Sequence, residues 1–446
     1  MKSKRVFALF IFVCIGLGVY GQTTVSLSSA VSDPTNTTSF TVTIEFSSAV
    51  TDFVVGDISV TNGTASNLST ADNITYTADI SPDSDGLVSV QVPADVTTTG
   101  SGGNNSASNE LSTTYDGTSP SISSVSIPNA SMKVTDVVTA TIAVTSDAED
   151  YTTSGSVSGD IGGFSVSTFT WSSSTEYTVE FTITEGGTDV PAGSDIPVNI
   201  TITDAAGNTS TAYTTAISQG SDPIDANTPS APSTPDLDAG SDTGSSDTDD
   251  ITNDDTPTFS GTAEAGSTVS LTSDVDGSIG SGAADGSGNW SITVSTLTED
   301  THSITATATD AAGNTSVASS GLSVTIDTSD PSSPSTPDLD AGSDTGSSDT
   351  DDITNDDTPT FSGTAEAGST VSLTSDVDGS IGSGAADGSG NWSITVSTLT
   401  EDTHSITATA TDAAGNTSVA SSGLSVTIDG TSPSISSVSI PNASMK

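Results

Sequence analysis

Positive charge is almost missing from this chain: its 446 residues carry 5 Lys and Arg against 57 Asp and Glu, a formal net charge of −52. Three of the five cations, Lys2, Lys4 and Arg5, stand before the apolar run Val6 to Val19, and Gly21 and Gln22 follow it. Charged, then hydrophobic, then small is the order of a secretory signal peptide, so residues 1–21 are expected to be a leader cleaved near Gly21. The run is shorter than the roughly 20 apolar residues that span a bilayer. Past it only Lys133 and Lys446 remain. Such acidity excludes nucleic acid and anionic membrane surfaces as direct partners, and leaves divalent cations or cationic surfaces.

Cysteine is confined to Cys14, inside that leader. The exported chain therefore has no disulfide, no thiol chemistry and no disulfide-linked partner. Histidine occurs twice, as His302 and His404. That is too few for a His-rich zinc site, and no Gly-x-Ser-x-Gly nucleophile turn accompanies them. Aromatics make up 4% of the chain, too few for the exposed aromatic pairs that sugar binding needs. Long helical periodicity is absent as well. Nothing is set out for chemistry, and the chain is expected not to be an enzyme.

What is abundant is repetition. Pro232 to Asp327 recurs without a change as Pro334 to Asp429, a 96-residue block displaced by 102 positions. Asp116 to Lys133 returns verbatim as Asp429 to Lys446. An enzyme needs unlike residues converging on one cavity, whereas tandem copies multiply length and valency. Neither copy of the block contains lysine, so a Lys–Asn isopeptide crosslink is not available to staple it. The repeats set the expected boundaries: leader 1–21, domains 22–117 and 118–226, repeats 227–327 and 328–429, and the start of a further domain over 430–446.

Period-two alternation fixes the fold class. Trp290, Ile292 and Val294 alternate with Ser and Thr, as do Ile304, Ala306 and Ala308, and Leu322, Val324 and Ile326. Val269, Leu271 and Phe259 mark further strands of the same unit. The second domain reads alike at Val138 to Val144, Tyr177 to Ile183 and Val198 to Ile202, and the first at Phe40 to Phe46. Each run has one dry face, which predicts an all-β chain of tandem immunoglobulin-like β-sandwiches joined by short acidic linkers. The Pro-, Ser- and Asp-rich stretch Gln219 to Thr234 reads as linker. By their phase Trp290 and Trp392 are core residues before they are sugar platforms, Trp171 remains open to stacking, and His302 begins an inward-facing strand as a half-buried edge residue.

Two motifs stand out. Asp-Ala-Ala-Gly-Asn-Thr-Ser occurs at Asp204 to Ser210, Asp310 to Ser316 and Asp412 to Ser418. Gly and Asn tolerate positive φ and a strand-end Asp accepts backbone N–H groups, so this is a hairpin with a capping aspartate. The second motif packs Asp236, Asp238, Asp242, Asp247, Asp249, Asp250, Asp254 and Asp255 into twenty residues, and repeats from Asp338 to Asp357. Calcium takes six to eight oxygen ligands, and clustered carboxylates on irregular chain supply them. The candidate calcium ligands are Asp236, Asp238, Asp249, Asp250 and Asp254, with Asp327 at a strand exit. Their copies are Asp338, Asp340, Asp351, Asp352, Asp356 and Asp429. The alternative is a solvated acidic linker; no EF-hand spacing is present.

The Asp-x-Ala-Gly-Asn turn, the Gly288-Asn-Trp290 strand and the opening Asp255-Thr-Pro-Thr-Phe-Ser-Gly-Thr-Ala-Glu-Ala-Gly-Ser-Thr-Val resemble bacterial immunoglobulin-like domains of the kind found in large RTX-type and biofilm surface adhesins. The first domain resembles a sister family through Phe53 to Gly63, Tyr76 and Val90 to Pro93, but its final turn, Gly102 to Ser108, lacks the leading Asp. The resemblance implies a modular spacer or adhesive segment, secreted or held at the outer cell surface, that meets an unknown surface or matrix target. Calcium at the acidic linkers would stiffen it. The competing expectation is an accessory region of a secreted polysaccharide-degrading enzyme. A shared sandwich does not choose a ligand.

Overall fold

Strand propensity is realised almost throughout. The computed structural model describes residues 22–99, 103–145, 155–173, 175–218, 220 and 223–439, and the expected leader lies outside them. Among the described residues the one helical turn is Val55–Asp57, and no helix is long and apolar enough to cross a membrane. The chain divides into two compact units, residues 1–227 and 228–446.

In the first unit, the opening domain sets a four-stranded sheet (Val25–Ser28, Phe40–Phe46, Thr75–Pro82, Gly63–Thr70) against a three-stranded one (Ser59–Thr61, Gly86–Gln91, Leu111–Tyr115). Phe40, Val42, Ile44 and Phe46 all point inward. Three rings lock this core edge to face: Phe46, Phe53 and Tyr76, with centroids 5.0 to 5.8 Å apart. The Tyr76 hydroxyl donates to the Val50 carbonyl at 2.6 Å, so its one polar atom is satisfied in the dry interior. At the end where the leading Asp is missing, buried Asn105 substitutes. Its side-chain oxygen accepts the Val96 and Thr97 N–H groups, and its amide donates to Pro93 and Ser106.

The second domain wraps one six-stranded sheet, from Val198–Thr203 to Ile122–Ser126, around a core of Ile142, Tyr177, Phe181, Ile196 and Ile200. Part of the stretch read as linker belongs to this domain. Ile224–Asp225 pairs in parallel with Met132–Lys133, because Ile224 and Met132 are apolar and both go into the core. For Trp171 the side chain lies outside the described set.

The second unit contains the two identical repeats. In the first, the strands Asp236–Leu237, Thr258–Thr262 and Asn289–Thr293 face a five-stranded sheet ordered Ile251–Thr252, Leu322–Ile326, Asp300–Thr309, Thr268–Ser273, Gly277–Ala283. Leu237, Phe259, Trp290 and Ile292 from one layer meet Val269, Leu271, Ile304 and Val324 from the other. Gly261 sits beneath the Trp290 indole, where a Cβ would lie 2.6 Å from the ring, so the motif's Ser-Gly-Thr is a seat for the tryptophan. Trp290 and Trp392 are core residues, and both are buried. His302 is not a half-buried edge residue. It is 1% exposed, its Nδ1 lies 2.9 Å from the Ser273 hydroxyl, and its Nε2 lies 2.8 Å from the Thr298 carbonyl. Both nitrogens being satisfied inside the protein explains how a polar ring is buried so deeply.

The identity of the repeats makes a clean stability test. Phe259 is completely buried and Phe361 is its copy. Phe259→Ala is expected to cost the first repeat about 3–5 kcal/mol and to split the chemical denaturation of the second unit, with the Phe361 repeat unfolding last. A single unshifted transition would contradict separate cores.

Candidate functional site: the domain junctions and the acidic loop

The Asp-Ala-Ala-Gly-Asn hairpin is built by its first residue. In each copy the Asp carboxylate turns back on the chain: Asp412 Oδ1 accepts the Gly415 and Asn416 N–H groups at 2.8 and 2.9 Å. Asp204 and Asp310 do the same. Positive φ is needed only at the glycine, Gly207, Gly313 and Gly415, so the asparagine is not there for its tolerance of a left-handed backbone.

Its task is outside the turn. The two hydrogens of the Asn416 amide go to Asp412 Oδ2 at 2.9 Å and to the carbonyl of Asp327, the residue that ends the preceding repeat, at 2.7 Å. Asn208 in the first unit repeats this geometry, donating to Asp204 Oδ2 at 3.0 Å and to the carbonyl of Asp116, which ends the first domain, at 2.8 Å. Each repeat carries a second turn of nearly the same spelling, Asp285-Gly-Ser-Gly-Asn289, with the same carboxylate capping and a positive-φ Gly288. There Asn289 is exposed and has only long contacts of 3.4 Å to Asp285. The turn needs Asp and Gly; the buried Asn serves the junction.

Beside Asp327 the hairpin rests on the acidic loop of the repeat before it. Ser245 N–H donates to the Ala413 carbonyl at 3.2 Å, and the Thr243 hydroxyl lies 3.0 Å from the Ala414 carbonyl. Gly244 and Gly415 pass back to back: a Cβ on Gly244 would lie 2.0 Å from the Ala413 oxygen, and one on Gly415 3.0 Å from the Gly244 Cα. Ala414 is wholly buried at the tip of its hairpin.

The acidic loop itself is not a free linker. Ile251–Thr252 pairs in parallel with Leu322–Ile326, and Thr252 is buried with its hydroxyl directed at the Ser241 carbonyl. This stitching sorts the candidate ligands. Asp238 accepts the Ser260 hydroxyl, Asp254 accepts Thr256, and Asp327 accepts Ser329 N–H at 3.1 Å, each closing a local turn; Asp340, Asp356 and Asp429 repeat these roles. Asp236, Asp242 and Asp249 instead repel Asp250, as Asp338, Asp344 and Asp351 repel Asp352. Asp242, counted in the sequence but not chosen as a ligand, is 5% exposed, and its Oδ1 is buried without a hydrogen-bond partner; Asp344 is the same. Stranding such an oxygen costs about 1–3 kcal/mol. Among the described residues no three His, Cys, Asp or Glu side chains are arranged to hold a metal ion.

The electrostatics follow from this placement. Burial pushes the Asp242 and Asp250 carboxyls above their ordinary range, and repulsion from neighbouring aspartates adds to it. Asp352 is raised for the same reasons. Asp285 and Asp387 are lowered, first by the N–H groups of Asn289 and Asn391. Asp52 in the first domain is lowered to about 2, first by the Thr97 hydroxyl.

A family model described as "Bacterial Ig-like domain" matches residues 228–328 and 331–430, and a second model of that description matches residues 21–115. No curated protein matches the chain. Among solved structures, the chain is similar to the BSP domain of a biofilm associated protein, at 13% identity over 92% of this chain and 96% of that one, with a TM-score of 0.17. It is similar to an ICAM-5 D1–D4 ectodomain fragment at 12% identity, over 92% and 100%, TM-score 0.26. A third is invasin, described as a bacterial integrin-binding protein, at 14% identity over 88% and 76%, TM-score 0.21. At these scores the likeness bears on neither shape nor partner.

The pKa directions give a test with a definite sign. A raised folded pKa means that Asp242, Asp250 and Asp352 contribute stability below the ordinary value of 3.8, and that this contribution is lost as pH rises through the folded value. Asp285 and Asp387 contribute stability above 3.8 that is lost as pH falls through their lowered values. Carboxyl-carbon NMR titration is expected to give Asp250 a midpoint above, and Asp285 below, the ordinary one. The reverse order would refute the arrangement of the loop.

Proposed function

The chain belongs to the bacterial Ig-like domain families, and from that membership we propose that it is a non-enzymatic spacer segment of an exported, cell-surface adhesin. Its domains are 22–117, 118–226, 227–327 and 328–429, after a leader at 1–21. The observation that carries this reading is the junction bond made twice, Asn208 to the Asp116 carbonyl and Asn416 to the Asp327 carbonyl. A hairpin that grips the last residue of the domain before it fixes one domain on the next. That is the work of a stalk, and its adhesive target is a surface or matrix component. Scattering from chains carrying one and two extra copies of residues 328–429 tests it. The maximum dimension is expected to grow by a constant increment per copy, and growth as the cube root of mass would overturn the reading.

The acidic loops add a second element, calcium. The fit is chemical: hard carboxylate oxygens on irregular chain, one of them buried and unpaired. Asp236, Asp242, Asp249 and Asp250 would have to be drawn together by the ion in the first repeat, and Asp338, Asp344, Asp351 and Asp352 in the second, because no three of them are arranged to hold a metal without it. Bound calcium supplies the positive charge that the chain lacks, so that the loops no longer repel themselves. Asp238, Asp254 and Asp327, with their copies, keep the loop closed rather than binding the ion.

The double variant Asp242→Asn, Asp344→Asn separates this from a merely acidic surface. In chelator, removing the stranded charges is expected to raise the melting temperature by about 4–8 °C. Calcium, which stabilises the natural chain in proportion to its occupancy, is expected to have no effect on the variant. Calorimetric titration of the natural chain showing no calcium uptake would defeat the proposal.

A further inference from the structure

The second repeat has a socket whose loop residues are those of the first. A cavity of about 390 Å³ is lined by Thr345, Gly346, Ser347, Asn355 and Asp429, together with Gly430 to Pro433. The first five are the copies of Thr243, Gly244, Ser245, Asn253 and Asp327, the surface on which the Asp412 to Ser418 hairpin rests, while Gly430 to Pro433 stand where the first repeat has Thr328 to Pro331.

At the five shared residues the two sites differ in what covers them. In the first repeat the Thr243 hydroxyl reaches both Asn253 Oδ1, at 2.6 Å, and the Ala414 carbonyl; in the second the Thr345 hydroxyl keeps the bond to Asn355 Oδ1 at 2.6 Å. The Ser347 N–H, unlike that of Ser245, makes no hydrogen bond within the described residues. A Cβ at Gly346 would meet nothing nearer than the Ile353 oxygen at 3.9 Å, against 2.0 Å from the Ala413 oxygen at Gly244.

The sequence names the occupant. Asp429 to Lys446 is identical to Asp116 to Lys133. At the first occurrence those residues open the second domain, whose Asn208 returns to the Asp116 carbonyl. Asp429 therefore ends a domain, heads a second-domain sequence and lines the cavity.

We propose that this cavity is a docking socket for the Asp-Ala-Ala-Gly-Asn hairpin of one more Ig-like domain, with the sequence of the second domain, joined at Lys446. The hairpin's Asn amide bonds the Asp429 carbonyl, its first Ala carbonyl accepts the Ser347 N–H, and its Gly passes Gly346. The proposal deepens the spacer reading and rests on it, because the contact seen between the two repeats is then made again by the domain that follows them.

The test extends the full chain with residues 134–226 placed directly after Lys446, which completes the second-domain sequence without a foreign join. Hydrogen exchange at Ser347 is read in the natural and extended chains. Docking is expected to slow it by ~10-fold or more, toward the rate of Ser245. Gly346→Ala is expected to abolish that slowing in the extended chain. In the natural chain the same substitution alters neighbouring exchange only through its backbone strain, whereas Gly244→Ala accelerates Ser245 by that strain and by the lost contact together. Both glycines have positive φ, +105° and +125°, so alanine strains the backbone alike at both, and the difference reports docking. Equal Ser347 exchange in the natural and extended chains overturns the proposal, and so does equal sensitivity of the two glycines in the natural chain. If exchange is unchanged while scattering still lengthens by a constant increment, the socket falls and the spacer stands.

Discussion

The constraint on which this structure depends is that 57 carboxylates must be stabilised with almost no cations. An aspartate without an arginine or lysine partner can turn only to N–H and O–H donors, and the donors nearest in sequence are those of its own turn. Asp204, Asp310 and Asp412 use them, as do Asp285, Asp387 and Asp72. Each carboxylate that caps a turn removes an electrostatic liability and fixes the geometry of a hairpin in one step. The acidity of the chain and the sharpness of its turns are one property.

The solution runs out in the loop around Asp242. There the chain places more carboxylates than the local donors satisfy, and burial raises Asp242 and Asp250 where a capped aspartate is lowered. Ordinary selection for stability would place a serine or asparagine at a buried position with an unpaired oxygen. The buried, unpaired Asp242 oxygen and its copy on Asp344 are what the calcium proposal rests on. On that proposal, an ion that binds only the folded loop would stabilise it in proportion to its occupancy.

Most of the fold was legible in the sequence, because burial on one face enforces period two. Phe40 to Phe46, Val138 to Val144 and Ile304 to Ala308 lie where their alternation puts them. What period two does not carry is the partner of a short strand. Ile224–Asp225 and Ile251–Thr252 are two residues each, too short for alternation, and their parallel pairings join segments far apart in the chain. For the same reason the acidic stretch read as linker, although it is sewn into the sheet. The depth of His302 was hidden because its burial depends on Ser273 and the Thr298 carbonyl, neither of which composition reveals. Asp242 was one aspartate among eight until the fold made it the buried one. The junction asparagine carried a usable signal: two hairpins per repeat share Asp and Gly, but only one follows them with Asn-Thr-Ser.

The junction contact has a further consequence from its symmetry alone. A repeat offers one surface to the domain after it, Thr243, Gly244 and Asp327, and a different one, the Asp310 to Ser316 hairpin, is the copy of what the next repeat inserts. A contact between unlike surfaces is heterologous, and unless rotation closes it into a ring it continues for as many copies as exist. Covalent continuity keeps each hairpin at high effective concentration beside its own socket, so a contact of two or three hydrogen bonds is enough where it would fail between free molecules. Duplicating the unit therefore adds a working junction each time without any new interface having to arise. That removes the usual penalty on tandem copies.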